Sequence, residues 1–132
     1  MLVEDDPDHE LLTIRALKKS NIANDVRVAR DGAEAIELIL GENPIKPQVI
    51  LLDLKLPKVD GLEVLRRIRS DDATKTLPVV VLTSSDEERD LLRSYQLGVN
   101  SYIRKPVNFN DFAEATRQLG MYWLVLNECP PK

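Results

Sequence analysis

The chain has one cysteine, Cys129, one histidine, His9, and five glycines in 132 residues. A lone cysteine cannot close an internal disulfide, so nothing in it points to an oxidising compartment. Basic charge is also short. Against 22 acids stand 18 lysines and arginines, a net charge of −4, which argues against the clustered basic surface that nucleic-acid binding needs. Arg66, Arg67 and Arg69 do cluster, but on a predicted helix, where they read as a solvated face. The longest apolar run, Met121–Leu126, falls far short of the roughly 20 residues of a membrane span. The opening MLVEDD shows no secretory signal. Neither GxGxxG nor a GxxxxGK phosphate loop occurs, which counts against a nucleotide- or flavin-binding protein. The expectation is one soluble, cytoplasmic domain with neither nucleic acid nor membrane as its partner.

What is present is an alternation. Short β-branched runs at Met1–Glu4, Val26–Arg30, Val49–Asp53, Val79–Thr83 and Ser101–Arg104 are separated by amphipathic helical stretches. That is the pattern of βαβ units and a parallel sheet. Val49–Leu52 and Val79–Leu82 do not alternate polar with apolar, as suits strands covered by helices on both faces. Asp31 with Glu34, Asp60 with Glu63 and Ser85 with Glu88 have the spacing of capping boxes. Pro7 suits a first helical turn, and Gly98 the stop of the fourth helix. Five strands and five helices predict an α/β, doubly wound, open (βα)5 sheet, in which ligands bind at the carboxyl ends of the strands.

Those ends carry the chemistry. The first strand runs into Glu4 and Asp5, the third into Asp53, the fourth into Thr83 and the fifth into Lys105. Three converging carboxylates repel one another unless something compensates, and a hard divalent cation such as Mg²⁺ does so. The expected site is an acidic Mg²⁺ pocket with a lysine and a hydroxyl placed to receive an anion. His9, in a first helical turn, reads as solvent-exposed and incidental.

The set VED, LLDLKLP, VVLTSS and YIRKP resembles the receiver domain of two-component response regulators across residues 1–119. The resemblance implies a flavodoxin-like sheet of order 2-1-3-4-5 with helices on both faces. It implies that Asp53 accepts a phosphoryl group from a histidine kinase, with Lys105 and Thr83 on the phosphoryl oxygens. Glu4, Asp5, Asp53 and the backbone carbonyl of Lys55 would hold Mg²⁺, Glu4 through water. Thr83 and Tyr102 would form the switch, changing the face of the fourth helix, fifth strand and fifth helix, and Lys105–Pro106 would be a cis bond. Lys55 and Ser85 would tune dephosphorylation. The protein would be no enzyme beyond its own phosphorylation and dephosphorylation. Haloacid-dehalogenase phosphatases also attack with an aspartate, but Lys55 stands where their second acid belongs.

The ending, with YWL and then CPP, is similar to the receiver-only regulators that accompany bacterial phytochromes, which implies a phytochrome kinase as partner. Residues 1–127 would form the receiver domain, its last helix spanning about 108–127, and 128–132 a tail, with no output domain after it. Phe109, Phe112, Thr116, Leu119, Trp123 and Leu126 follow a helical stripe, and MYWLVL is apolar on every side. Such a segment should be covered, and a homodimer through Phe109, Tyr122, Trp123 and Leu126 is the expectation.

Overall fold

The computed structural model describes residues 1–19, 25–85, 87–105 and 109–122. In chain order the elements are β1 (Leu2–Val3), α1 (Pro7–Lys19), β2 (Val28–Ala29), α2 (Gly32–Leu40), β3 (Ile50–Leu52), α3 (Gly61–Ser70), β4 (Val79–Thr83), α4 (Glu88–Gln96), β5 (Ser101–Arg104) and α5 (Phe109–Gly120). The strands pair in the order β2-β1-β3-β4-β5, all parallel. This is the doubly wound sheet that the alternation predicts.

Strand residues alternate between faces, and the core divides accordingly. Val3, Ile50, Leu52, Val79 and Val81 pack on one side with Ala35 and Ile39 of α2 and Val64, Leu65 and Ile68 of α3. Leu2, Leu51, Val80 and Leu82 form the other side, with Leu12 and Ile14 of α1 against them. Every residue of β3 and β4 is buried, which is why those strands read as unbroken apolar runs.

In two of the three boxes the cap half forms, while the third-residue carboxylates turn elsewhere, Glu34 Oε2 accepting from the Arg30 N–H and Glu63 from Arg66. Asp31 accepts from the Glu34 N–H at 2.8 Å, and Asp60 from the Glu63 N–H at 3.1 Å. The third does not. The cap of α4 is Glu87, without a side-chain bond, and the Ser85 hydroxyl two residues before it accepts from the Glu87 N–H at 3.3 Å while donating to Asp90 at 2.6 Å. Gly98 closes α4 at φ +83, a left-handed conformation that glycine takes at no steric cost. Arg69 departs from the solvated face expected of it. Its guanidinium reaches under the sheet and donates to the carbonyls of Lys75, Leu77 and Gly98 and to Asn100 Oδ1.

Candidate functional site

Parallel strands present their carboxyl ends along one edge, so the residues that follow β1, β3 and β5, and the last of β4, meet there. Lys105 Nζ lies 2.5 Å from Glu4 Oε1 and 3.2 Å from Asp53 Oδ2. All three side chains are under a tenth exposed. The Thr83 hydroxyl donates to Asp53 Oδ1 at 2.8 Å, and the Lys55 N–H to the same oxygen at 3.3 Å. Asp5 is exposed, yet one oxygen each from Glu4, Asp5 and Asp53 fall within 4.8 Å of one another. This all-oxygen, multiply anionic set suits a hard divalent cation.

The two buried carboxylates differ in character. Burial, then the shared hydrogen bond with Asp53, pushes Glu4 up to about 7. Burial acts on Asp53 in the same sense, but the Glu4 hydrogen bond, the Lys105 ammonium, the Thr83 hydroxyl and the Lys55 N–H outweigh it and hold Asp53 below the usual range. Within this pair the surroundings favour the charged form of Asp53 over that of Glu4.

Local backbone fixes Asp53 in place. The β3–α3 connection turns back on itself, with the Gly61 N–H donating to the Leu54 carbonyl at 2.9 Å. A Cβ on Gly61 would stand 2.3 Å from the Asp53 carbonyl oxygen, so only glycine lets α3 start this close to the acid.

Around this pocket the structure corrects and extends the sequence reading. His9 is not incidental: its Nδ1 lies 2.9 Å from Lys105 Nζ and 3.8 Å from Glu4 Oε1. No local pattern announces this, since His9 and Lys105 are 96 positions apart. Thr83 is turned toward Asp53, and the half-buried Tyr102 donates its hydroxyl to the Ser85 carbonyl at 3.3 Å. Asp90, which sequence reasoning missed, is buried beneath Ser85, with Lys55 Nζ 3.5 Å from its Oδ2. Its one signal is an inversion: the buried residues of α4 are Asp90 and Ser94, while Leu91, Leu92 and Tyr95 are exposed.

Some expectations reach past the described residues: the Lys105–Pro106 bond, Trp123, Leu126 and the tail with Cys129 lie outside them, as do the side chains of Phe109, Phe112 and Leu119. Tyr122 is about half exposed. Among the described residues no helix is long and apolar enough to cross a membrane.

Comparison with known proteins gives a consistent picture. The response regulator receiver domain family matches residues 1–117. The response regulator Rcp1 of Synechocystis sp. is 40% identical over 128 residues, 94% of this chain and 87% of that protein. The crystal structure of its Mn²⁺-bound form superposes with a TM-score of 0.93, at 39% identity, covering 98% of this chain and 96% of that one. The phosphorylated cyanobacterial phytochrome response regulator RcpA gives 0.92 at 40% identity, with the same coverage. The bacteriophytochrome response regulator AtBRR is 52% identical, covering 96% of this chain and 95% of its own, with a TM-score of 0.71.

Proposed function

The chain belongs to the response regulator receiver domain family of two-component signalling, and from that premise we propose that Asp53 is its phosphoacceptor. The observation that carries this is the Lys105 ammonium held between Glu4 and Asp53, with the Thr83 hydroxyl on the anionic Asp53.

The sensor kinase presents a phosphohistidine. An Asp53 carboxylate oxygen bonds to phosphorus as the bond from phosphorus to the histidine nitrogen breaks. Such transfers pass through a loose transition state, so the protein acts by alignment and charge. Lys105, already 3.2 Å from Asp53, takes up the phosphoryl oxygens on one side. Thr83 donates to another, and the Lys55 N–H holds Asp53 in its rotamer. Glu4, Asp5, Asp53 and the Lys55 carbonyl would hold Mg²⁺, Glu4 through water; when bound it supplies the remaining positive charge on the phosphoryl oxygens. Thr83 and Tyr102 form the switch, since both touch the β4–α4 connection, Thr83 through the Ser85 N–H at 3.3 Å and Tyr102 through the Ser85 carbonyl. The face of α4, β5 and α5 then carries the signal. Beyond its own phosphorylation and dephosphorylation the protein catalyses nothing in this reading.

The likeness to RcpA and AtBRR supports a bacterial phytochrome as the kinase, and we place the pair in the cytoplasm. Residues 1–127 make the receiver unit, followed by the short tail. Dimerisation through the last helix, with Phe109, Tyr122, Trp123 and Leu126, is supported by the exposure of Met121 and Tyr122. A particle of monomer size at high concentration, or one left unchanged by Trp123→Ala, ends that part of the proposal.

Intact mass after incubation with Mg²⁺ and acetyl phosphate tests the centre of it. Wild type gains one phosphoryl group, and Asp53→Asn or wild type in EDTA gains none. Uptake by Asp53→Asn, or none by the folded wild type, refutes it.

A further inference from the structure

Beside the phosphoryl pocket lies a second buried carboxylate. Asp90, in the first turn of α4, is 7% exposed, and its Oδ2 accepts from the Ser85 hydroxyl at 2.6 Å. The Lys55 ammonium is 3.5 Å from the same oxygen and 3.9 Å from Glu87 Oε1. A buried carboxylate needs charged or hydrogen-bonding partners, and Asp90 has one of each. Both partners touch the pocket through their backbones: the Lys55 N–H is on Asp53, and the Ser85 N–H is on Thr83. One acid on α4 thus holds the side chains of the two residues that stand two positions beyond Asp53 and two beyond Thr83.

We propose that Asp90 is a positioning residue that sets the lifetime of the phosphoryl group by holding the Lys55 ammonium on α4, clear of the pocket mouth. This deepens the reading of Asp53 as phosphoacceptor and rests on it. In hydrolysis a water oxygen bonds to phosphorus and the bond from phosphorus to the Asp53 oxygen breaks. Asp53 keeps the electron pair as a carboxylate, and a proton of the water passes to solvent, leaving inorganic phosphate. The water must approach opposite the Asp53 oxygen, from the solvent side. A groove of about 290 Å³, lined by Leu54, Lys55, Leu56, Asp60, Leu62 and Asp90, leaves the lysine room to move. Released from Asp90, its ammonium is drawn to the phosphoryl oxygens and its stem crosses the path of the water. Lys105 already supplies charge inside the pocket, so the arriving lysine acts chiefly by excluding water. The tether on Asp90 therefore keeps the phosphoryl group short-lived.

The test follows the loss of phosphoryl mass after acetyl phosphate is removed, with Mg²⁺ present. Asp90→Asn keeps an oxygen for Ser85 and removes the charge that holds Lys55. It is expected to take up one phosphoryl group and lose it roughly fivefold more slowly, the factor that one partly exposed ion pair is worth. In a Lys55→Met background, which retains the backbone carbonyl and N–H, the same substitution is expected to change nothing. A loss rate equal to wild type or faster, or a slowing that persists without Lys55, overturns the proposal, since a structural role through Ser85 would not depend on the lysine. Should Asp90→Asn fail to fold, Glu87→Gln, whose carboxylate Lys55 shares with Arg89, reads the same tether with an expected slowing of about twofold; an unchanged or faster loss overturns it. No uptake by wild type refutes the phosphoacceptor reading itself, whereas uptake with a lifetime indifferent to these acids refutes this inference alone.

Discussion

The two edges of the sheet make opposite use of polar groups. At the amino-terminal edge one guanidinium, that of Arg69, is spread over the carbonyls of Lys75, Leu77 and Gly98 and over Asn100 Oδ1, at 2.8–3.1 Å. Asn100 Oδ1 also accepts from the Val79 N–H, and the Thr74 hydroxyl donates to the Ile68 carbonyl. Each acceptor there is neutral. At the carboxyl-terminal edge two carboxyls compete for one lysine, and Glu4 is pushed to about 7. The first edge is saturated and holds the loops before β4 and β5 in place. The second keeps charge in reserve for a ligand. Stability and function are thus divided between opposite ends of the same strands.

The largest expected effect breaks the saturated edge. Arg69→Met takes the guanidinium from three carbonyls, while Asn100 Oδ1 keeps the Val79 N–H, and is expected to cost about 3 kcal/mol, each orphaned carbonyl contributing around 1 after allowance for partial exposure. Urea unfolding measures it, and the folded fraction should still take up phosphoryl from acetyl phosphate. A loss below about 1 kcal/mol would mean that water replaces the guanidinium freely and that the edge is not a staple.

Next comes a substitution that joins the two properties. In Gly61→Ala the new methyl would lie 2.3 Å from the Asp53 carbonyl oxygen and 2.6 Å from Leu54 Cα, both backbone atoms with no rotamer to yield. Overpacking of this kind costs about 2 kcal/mol. Because the atom displaced belongs to Asp53, phosphoryl uptake should slow as well, unlike in Arg69→Met. Normal uptake at reduced stability would show that the acid's position tolerates movement of its backbone.

A third, smaller effect tests the charged edge. Asp53→Asn removes one of two carboxyls crowding Lys105 and leaves Glu4 to pair with it. Thermal unfolding without divalent cations should show wild-type stability or a gain of up to about 1 kcal/mol, since relief of like-charge repulsion offsets the lost ion pair. A loss of several kcal/mol would make Asp53 a structural residue.

The contrast between edges also explains what was legible in the sequence. The functional edge is announced by local pattern, because a both-faces-buried strand such as Ile50–Leu52 that stops at an acid is conspicuous, and Glu4, Thr83 and Lys105 stop theirs likewise. The caps Asp31 and Asp60 are legible for the same reason, as their partners lie three residues away. Arg69 was not, because its acceptors come from as far as 31 positions along the chain and its neighbours Arg66 and Arg67 pair with Glu63 on the surface. His9 and Asp90 share that fault. Their lysine partners, Lys105 and Lys55, reach them only once the sheet has formed, and α4 buries Asp90 and Ser94 while exposing its leucines, against the usual hydrophobic reading.

The smallest effect lies in the connection that carries the charged edge. Among the described residues Lys58 is the one non-glycine with positive φ, at 65, in the turn that follows Asp53. A side chain in this left-handed conformation costs about 1–2 kcal/mol. Its ion pair, Nζ 3.5 Å from Asp31 Oδ2 with the lysine 70% exposed, returns little of that. Lys58→Gly relieves the backbone but adds roughly 0.4–1 kcal/mol of unfolded-state entropy, so a net gain near 0.5 kcal/mol is expected, read as a small rise in the urea midpoint. If stability falls instead, the lysine stem or its pairing with Asp31 is what closes the turn, and the charged edge would owe its shape to a surface contact between the β3–α3 connection and α2.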